Sequence, residues 1–178
     1  MTPDVAPLAD LIRDVADFPH PGVVFKDITP LLADPVAFGR CVELLSEPFL
    51  HLGVDKVLGI EARGFILAAP VALHLGAGFV PLRKGGKLPW KVESESYSLE
   101  YGEDRLEIHA DALQPGERVL VVDDVLATGG TASAAARLVA RLGAEPVGLA
   151  CLIELGFLDG RGKLGDLHVV SLIGYQET

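Results

Sequence analysis

Two adjacent carboxylates, Asp123 and Asp124, close an apolar run and are followed shortly by a loop of small residues, Ala127, Thr128, Gly129, Gly130 and Thr131. The glycines accept torsions that Cβ-bearing residues avoid, and a helix-like run from 132 to 142 starts directly after them. Several N–H groups therefore converge on one anion at a helix N-terminus, with the hydroxyls of Thr128 and Thr131 as further donors. This is a phosphate cradle. It lacks the Lys of G-x-x-x-x-G-K-[ST], which disfavours a nucleoside triphosphatase loop. Carboxylates beside such a cradle repel a phosphate; they suit sugar hydroxyls, or a divalent metal held through water. Cradle plus diacid points to a ribose 5-phosphate. The plain alternative is a strand, a tight turn and a capped helix, but strand, diacid and Gly-Gly turn in that order between Arg118 and Thr131 favour a site.

The elements that must hold these groups follow from hydrophobic spacing. The β-branched run from 119 to 122 reads as a strand covered on both faces, at the centre of a parallel sheet whose ligands sit beyond the strands' carboxyl ends. Leu8, Leu11, Ile12 and Val15 recur at helical spacing and predict a helix over about 4–16, before the extended FPHPG segment. Residues 23–27 read as a short strand or loop covering the core. Asp34-Pro35 starts another helix, which apolar spacing carries to Gly53. A strand from 54 to 60 ends in Glu61-Ala62-Arg63-Gly64, a second loop at a strand's carboxyl end. The planar fork of Arg63 suits a second phosphate group; its ordinary alternative is an ion pair with Glu61. A helix over about 65–75 contains Pro70 and is capped by Gly76. A strand from 78 to 82 then leads into Arg83, Lys84, Gly85, Gly86 and Lys87, a basic loop that is either solvated or facing an anion. Two short antiparallel strands flank Gly102, and further strands run from 146 to 154 and from 169 to 173. The fold class is α/β, with a mainly parallel central sheet flanked by helices.

At 178 residues the chain fits one domain, 1–178, burying about 70% of its unfolded surface. A net charge of −10 argues against nucleic-acid and anionic-membrane partners. Cys41 and Cys151 lie in apolar surroundings and read as free thiols. The N-terminal stretch is acidic rather than basic and no apolar run approaches membrane-spanning length, so a cytoplasmic location is expected. The five histidines are scattered without metal-ligand spacing.

The segment VVDDVLATGGT resembles the phosphoribosyl pyrophosphate motif of the type I phosphoribosyltransferases. DFPHPGVVFKDITPLL, GIEARGF, RKGGKLP and YSLEYGEDRLEIHADAL, in one order over most of the chain, are similar to the adenine-specific branch of that family. The resemblance implies the type I fold with a hood at about 17–32 and a flexible lid at about 84–105. It implies Mg2+-dependent transfer of 5-phosphoribosyl from phosphoribosyl pyrophosphate to N9 of adenine, giving AMP and pyrophosphate through an oxocarbenium-like transition state.

Residue by residue, the same resemblance makes 127–131 the 5-phosphate anchor and gives the ribose hydroxyls to Asp123 and Asp124. Mg2+ is held mainly through substrate and water, with these two carboxylates as candidate ligands. Arg63, Lys84 and Lys87 neutralise the departing pyrophosphate, and a non-proline cis peptide is implied between Glu61 and Ala62. Arg83 reaches across the interface of a homodimer. Backbone groups of Val24 and Lys26 read the adenine edge, Phe25 stacks on the ring and Leu155 lies near the base. Glu100 is the candidate general base and Tyr101 a lid or substrate contact; solvation of Glu100, with proton loss to water, is the alternative. Two rival functions remain: transfer to an oxo-purine, for which Lys26 would supply a donor, and a regulator that binds phosphoribosyl pyrophosphate without turnover.

Overall fold

Described over residues 5–98 and 103–177 by a computed structural model, the chain departs from its expected path at the start. In place of one helix over 4–16, a short helix α1 (Ala6–Ala9) buries Leu8, and β1 (Arg13–Ala16) then pairs antiparallel with β2 (Val24–Asp27). The register sets Arg13 opposite Asp27 and Asp14 opposite Lys26. Both pairs close as ion pairs, at 2.7 and 2.8 Å. Cross-strand pairing of this kind overrides a local helical period. At the joining loop Asp17, at φ +56, accepts from the N–H of Gly22 at 2.7 Å.

After α2 (Thr29–Ala33), which no sequence signal announced, α3 (Pro35–Ser46) starts where expected: the Asp34 carboxylate accepts from the N–H groups of Val36 and Ala37, each at 2.9 Å. It stops short of Gly53, with a 3-10 turn Glu47–Phe49 in its place. Pro48 has no N–H with which to continue the helix.

The sheet proper begins with β3 (Lys56–Ile60), followed by α4 (Arg63–Leu75), β4 (Gly78–Lys84), β5 (Val92–Ser98), β6 (Glu103–His109), β7 (Arg118–Leu126), α5 (Gly130–Arg141), β8 (Glu145–Leu155) and β9 (Val169–Tyr175). The strand order is β5-β6-β4-β3-β7-β8-β9, with β4, β3, β7, β8 and β9 parallel and the β5–β6 hairpin antiparallel at one edge. From β3 the chain moves to β4 on one side and later to β7 on the other, so β3 and β7 flank the point where strand order reverses.

Alternation along the strands divides the core into two layers. Val57, Leu120 and Val122 pack with Leu45, Phe49, Leu67 and Val71 on the α3–α4 face. Leu58, Val119 and Val121 pack with Ala134, Leu138 and Leu149 on the α5 face. Val119, Leu120, Val121 and Val122 are each 0% exposed, as expected of a strand covered on both sides. No helix among the described residues is long and apolar enough to cross a membrane.

Candidate active site

The crevice at the reversal point is opened by unequal strand lengths. β7 pairs with β8 as far as Leu126 opposite Glu154, but its pairing with β3 stops at Gly59 opposite Val122. Asp123 and Asp124 therefore lie within β7 yet beyond the reach of β3. The chain turns there instead through a cis Glu61–Ala62 peptide into α4. Gly64, in the first turn of α4, has to be glycine, because a Cβ would stand 2.8 Å from Asp123 Oδ1 and 3.1 Å from the Val122 carbonyl. Burial and the neighbouring Asp124 carboxylate push Asp123 well above the ordinary carboxylate range.

Arg63 does not pair with Glu61. Its Nε lies 2.8 Å from Asp124 Oδ2, too poorly aligned for a hydrogen bond, and Nη1 is buried without a partner among the described residues. A cationic donor and an anionic acceptor thus share the crevice with hydrogen-bonding capacity to spare. The Arg63 guanidinium stands 4.6 Å from the centroid of the Phe25 ring, which Phe18 also meets edge-on at 5.1 Å. The small β1–β2 sheet is thereby brought to the mouth of the crevice. Lys26 points elsewhere: its Nζ is held by Asp14 and lies 4.0 Å from the centroid of the Tyr175 ring. Leu155, opposite Tyr175 at the end of β8, is partly buried against the α3–α4 core layer.

Beyond β7, residues 127–131 line a small cavity of about 70 Å³ together with Asp123 and Cys151. Gly129 takes φ +75 and caps α5 without a side chain, which leaves the first-turn N–H groups directed at the cavity. Its other constraint was not visible in the sequence. A Cβ on Gly129 would stand 2.2 Å from the carbonyl of Gly160, and a Cβ on Gly160 would stand 2.1 Å from the carbonyl of Ala127. Two backbones thus meet with nothing between them.

The basic loop after β4 is braced rather than free. Glu61, nearly buried, accepts from Arg83 Nε at 2.9 Å, from the Lys84 N–H at 3.1 Å and from Lys87 Nζ. Burial opposes its ionisation, yet these three donors outweigh burial and hold it below its ordinary value. Lys84 Nζ pairs with Asp104 at 3.0 Å, and the Gly86 N–H donates to Glu107 at 2.8 Å. On the β5–β6 hairpin, Glu95 pairs with Arg137 and Arg141 of α5 at 2.8 and 2.9 Å, and the Tyr97 hydroxyl donates to Asp104 at 3.1 Å. Glu100 and Tyr101 lie outside the described residues. At the end of β7 the structure thus sets Asp123 with 127–131 around the cavity, joins Asp124 to Arg63 and Arg63 to Phe25, and holds Arg83, Lys84 and Lys87 on carboxylates. Sequence reasoning missed Gly160 and the bracing acids Asp104 and Glu107, and it offered Glu61 to Arg63 where the structure gives it to Arg83 and Lys87.

A family model for the phosphoribosyl transferase domain matches residues 31–167. The adenine phosphoribosyltransferase of Myxococcus xanthus is 60% identical over 171 residues, covering 96% of this chain and 93% of its own. That of Thermobifida fusca is 59% identical over 173 residues, covering 97% and 98%. Among solved structures, adenine phosphoribosyltransferase from Rhodothermus marinus superposes with a TM-score of 0.93 at 53% identity, covering 96% of this chain and 98% of that one. The Saccharomyces cerevisiae enzyme, complexed with D-2,5-dideoxy-2,5-imino-altritol 1,6-bisphosphate and adenine, reaches 0.88 at 39% identity, covering 93% and 96%.

Proposed function

The chain belongs to the phosphoribosyl transferase family, with the adenine phosphoribosyltransferases as its relatives at about 60% identity, and from that premise we propose how its own residues carry the reaction. The activity is transfer of 5-phosphoribosyl from phosphoribosyl pyrophosphate to N9 of adenine, a purine-salvage step that yields AMP and pyrophosphate. One observation carries the assignment to residues: at the carboxyl end of β7, Asp123 lines the cation-free glycine cradle while the next residue, Asp124, forms a half-satisfied pair with Arg63.

In this reading 127–131 hold the 5-phosphate through α5 N–H groups and the Thr128 and Thr131 hydroxyls. Asp123 and Asp124 accept from the ribose hydroxyls and favour positive charge developing on the sugar. Arg63, with Arg83, Lys84 and Lys87 released from their carboxylates, takes up the charge of the departing pyrophosphate. Catalysis is then mostly position and electrostatics. Phe25 offers a ring face, and Val24 and Lys26 offer backbone groups to the base, while Leu155 closes the apolar side. Glu100 remains the proposed acceptor of the N9 proton and Tyr101 its neighbour on the lid. Asp123 and Asp124 are the residues that would hold a Mg2+, and Asp124 Oδ2, buried and without a hydrogen bond, would turn to it from the Arg63 Nε 2.8 Å away. Such an ion would supply further neutralisation of the diphosphate. We place the whole chain in one domain, with a hood at 17–32 and a lid at 84–105.

A homodimer is supported by the outer face of α4, where Ile66 and Leu73, seven positions apart, are 43% and 84% exposed. Buried free Cys41 and Cys151 support a cytoplasmic location. Binding of the Lys26 side chain by Asp14 speaks against an oxo-purine donor at that position. The test is pyrophosphate release from phosphoribosyl pyrophosphate and Mg2+ with adenine, hypoxanthine, guanine or xanthine supplied separately. Release with adenine alone is expected. Turnover only with an oxo-purine would sink the hood assignment, and binding without release would favour a regulator.

A further inference from the structure

The phosphate cradle is shaped from behind. The carbonyl of Gly160 lies where a Cβ of Gly129 would be, and the backbone at Ala127 and Gly129 leaves no room for a Cβ on Gly160. The position of Gly160 therefore fixes the position of the cradle's backbone. Gly160 opens a 3-10 turn, Gly160–Leu164, entered through Asp159 at φ +49. Glycines at 160 and 162 give this segment little stiffness of its own. Leu164 supplies its buried apolar anchor, and the other fastening is polar.

That fastening is Arg161. Its Nε donates to Glu154 Oε1 at 2.9 Å and its Nη2 to Glu154 Oε2 at 2.5 Å, a bidentate fork, while Nη1 donates to the Val169 carbonyl at 3.0 Å. Glu154 is fixed in turn by the Ser171 hydroxyl, which donates to Oε2 at 2.5 Å. One guanidinium thus ties the turn to the end of β8 and to β9. Arg161 does not line the cavity, and its side chain is half exposed, where ion pairs contribute little to global stability. A planar fork across two strands is nonetheless an arrangement that fixes orientation.

We propose that Arg161 is a positioning residue for the 5-phosphate cradle, acting through Gly160: its fork to Glu154 sets the backbone against which Ala127 and Gly129 are packed. The inference rests on reading 127–131 as the 5-phosphate site. It separates two quantities that a merely structural brace would move together, namely phosphate affinity and thermal stability.

The experiment is calorimetric titration of ribose 5-phosphate into the full chain and its Arg161→Ala, Arg161→Lys, Glu154→Gln and Thr131→Ala variants. Melting curves and steady-state kinetics are measured alongside. Arg161→Ala is expected to weaken ribose 5-phosphate about tenfold, the range of coupling within one contact network. Arg161→Lys, which keeps the charge but loses the fork, follows it, and Tm falls by only about 2–4 °C. KM for phosphoribosyl pyrophosphate rises, whereas kcat at saturation and KM for adenine stay near wild type. If Arg161→Ala does not fold, Arg161→Lys and Glu154→Gln carry the same test. Wild-type affinity in the Arg161 and Glu154 variants, with Thr131→Ala weakened, overturns the positioning role. Unchanged affinity in Thr131→Ala as well shows instead that the 5-phosphate assignment has failed.

Discussion

The two loops proposed to hold anions are built in opposite ways. Residues 127–131 carry no charge; they are fixed by a helix N-terminus, by Gly129 at φ +75 and by the backbone of Gly160. Residues 83–87 are rich in cations, and each cation rests on a carboxylate of the same chain: Arg83 and Lys87 on Glu61, Lys84 on Asp104. The first loop needs only to be filled. The second must exchange one anion for another. A reaction that keeps one phosphate in place throughout and lets a diphosphate go is served by this division. In the proposed reaction, fixed dipoles would hold the group that stays, and standing counter-ions would reclaim the cations when the other group leaves.

The largest test of this contrast is Gly129→Ala. The added methyl meets the Gly160 carbonyl and an unsuitable φ, and a displaced cradle should cost about 100-fold or more in kcat/KM for phosphoribosyl pyrophosphate. An effect below tenfold would mean the cradle yields, and the contrast would be lost. Salt gives the next effect. Raising ionic strength should raise KM for phosphoribosyl pyrophosphate several-fold through 83–87, while affinity for ribose 5-phosphate changes less; equal salt slopes would remove the distinction. Glu61→Gln should then tighten pyrophosphate about threefold by removing a competitor for Arg83 and Lys87, measured by product inhibition. Weaker pyrophosphate binding would instead make Glu61 a brace for the bound state.

The smallest effect is on stability. Because the folded protein raises Asp123 above its unfolded value, folding disfavours the carboxylate. That cost is present in full above the folded value and disappears as pH falls below the unfolded one. Asp123→Asn should therefore melt higher than wild type at neutral pH, with the gap closing in acid, while turnover falls. A lower melting point at pH 7 would show that Asp123 supports the fold rather than burdens it.

Local chemistry made the central part of this site readable. Four consecutive apolar residues placed β7, a diacid and two glycines marked its end, and Asp34-Pro35 marked α3. What escaped depends on partners distant in sequence. Residues 13–16 have the spacing of a helix but pair with β2, because Arg13 and Asp14 find Asp27 and Lys26 across the strand. Glu61 gave no sign that it would take Arg83 and Lys87 and leave Arg63 to Asp124. Nothing near Gly160 indicates that it faces Gly129. Val24, Phe25, Lys26 and Leu155, proposed to face the base, come from family resemblance alone, since their own pattern reads only as a short covering strand and as core.

The facing glycines also determine how this sequence can drift. At 129 and at 160, any replacement adds a carbon where the other segment's backbone already stands, and backbone cannot be traded away by a second mutation. Neither change rescues the other. A saturation library selected for turnover should keep only glycine at both positions, while at neighbouring Arg161 and Lys163, with room for other side chains, substitutions persist when phosphoribosyl pyrophosphate is saturating.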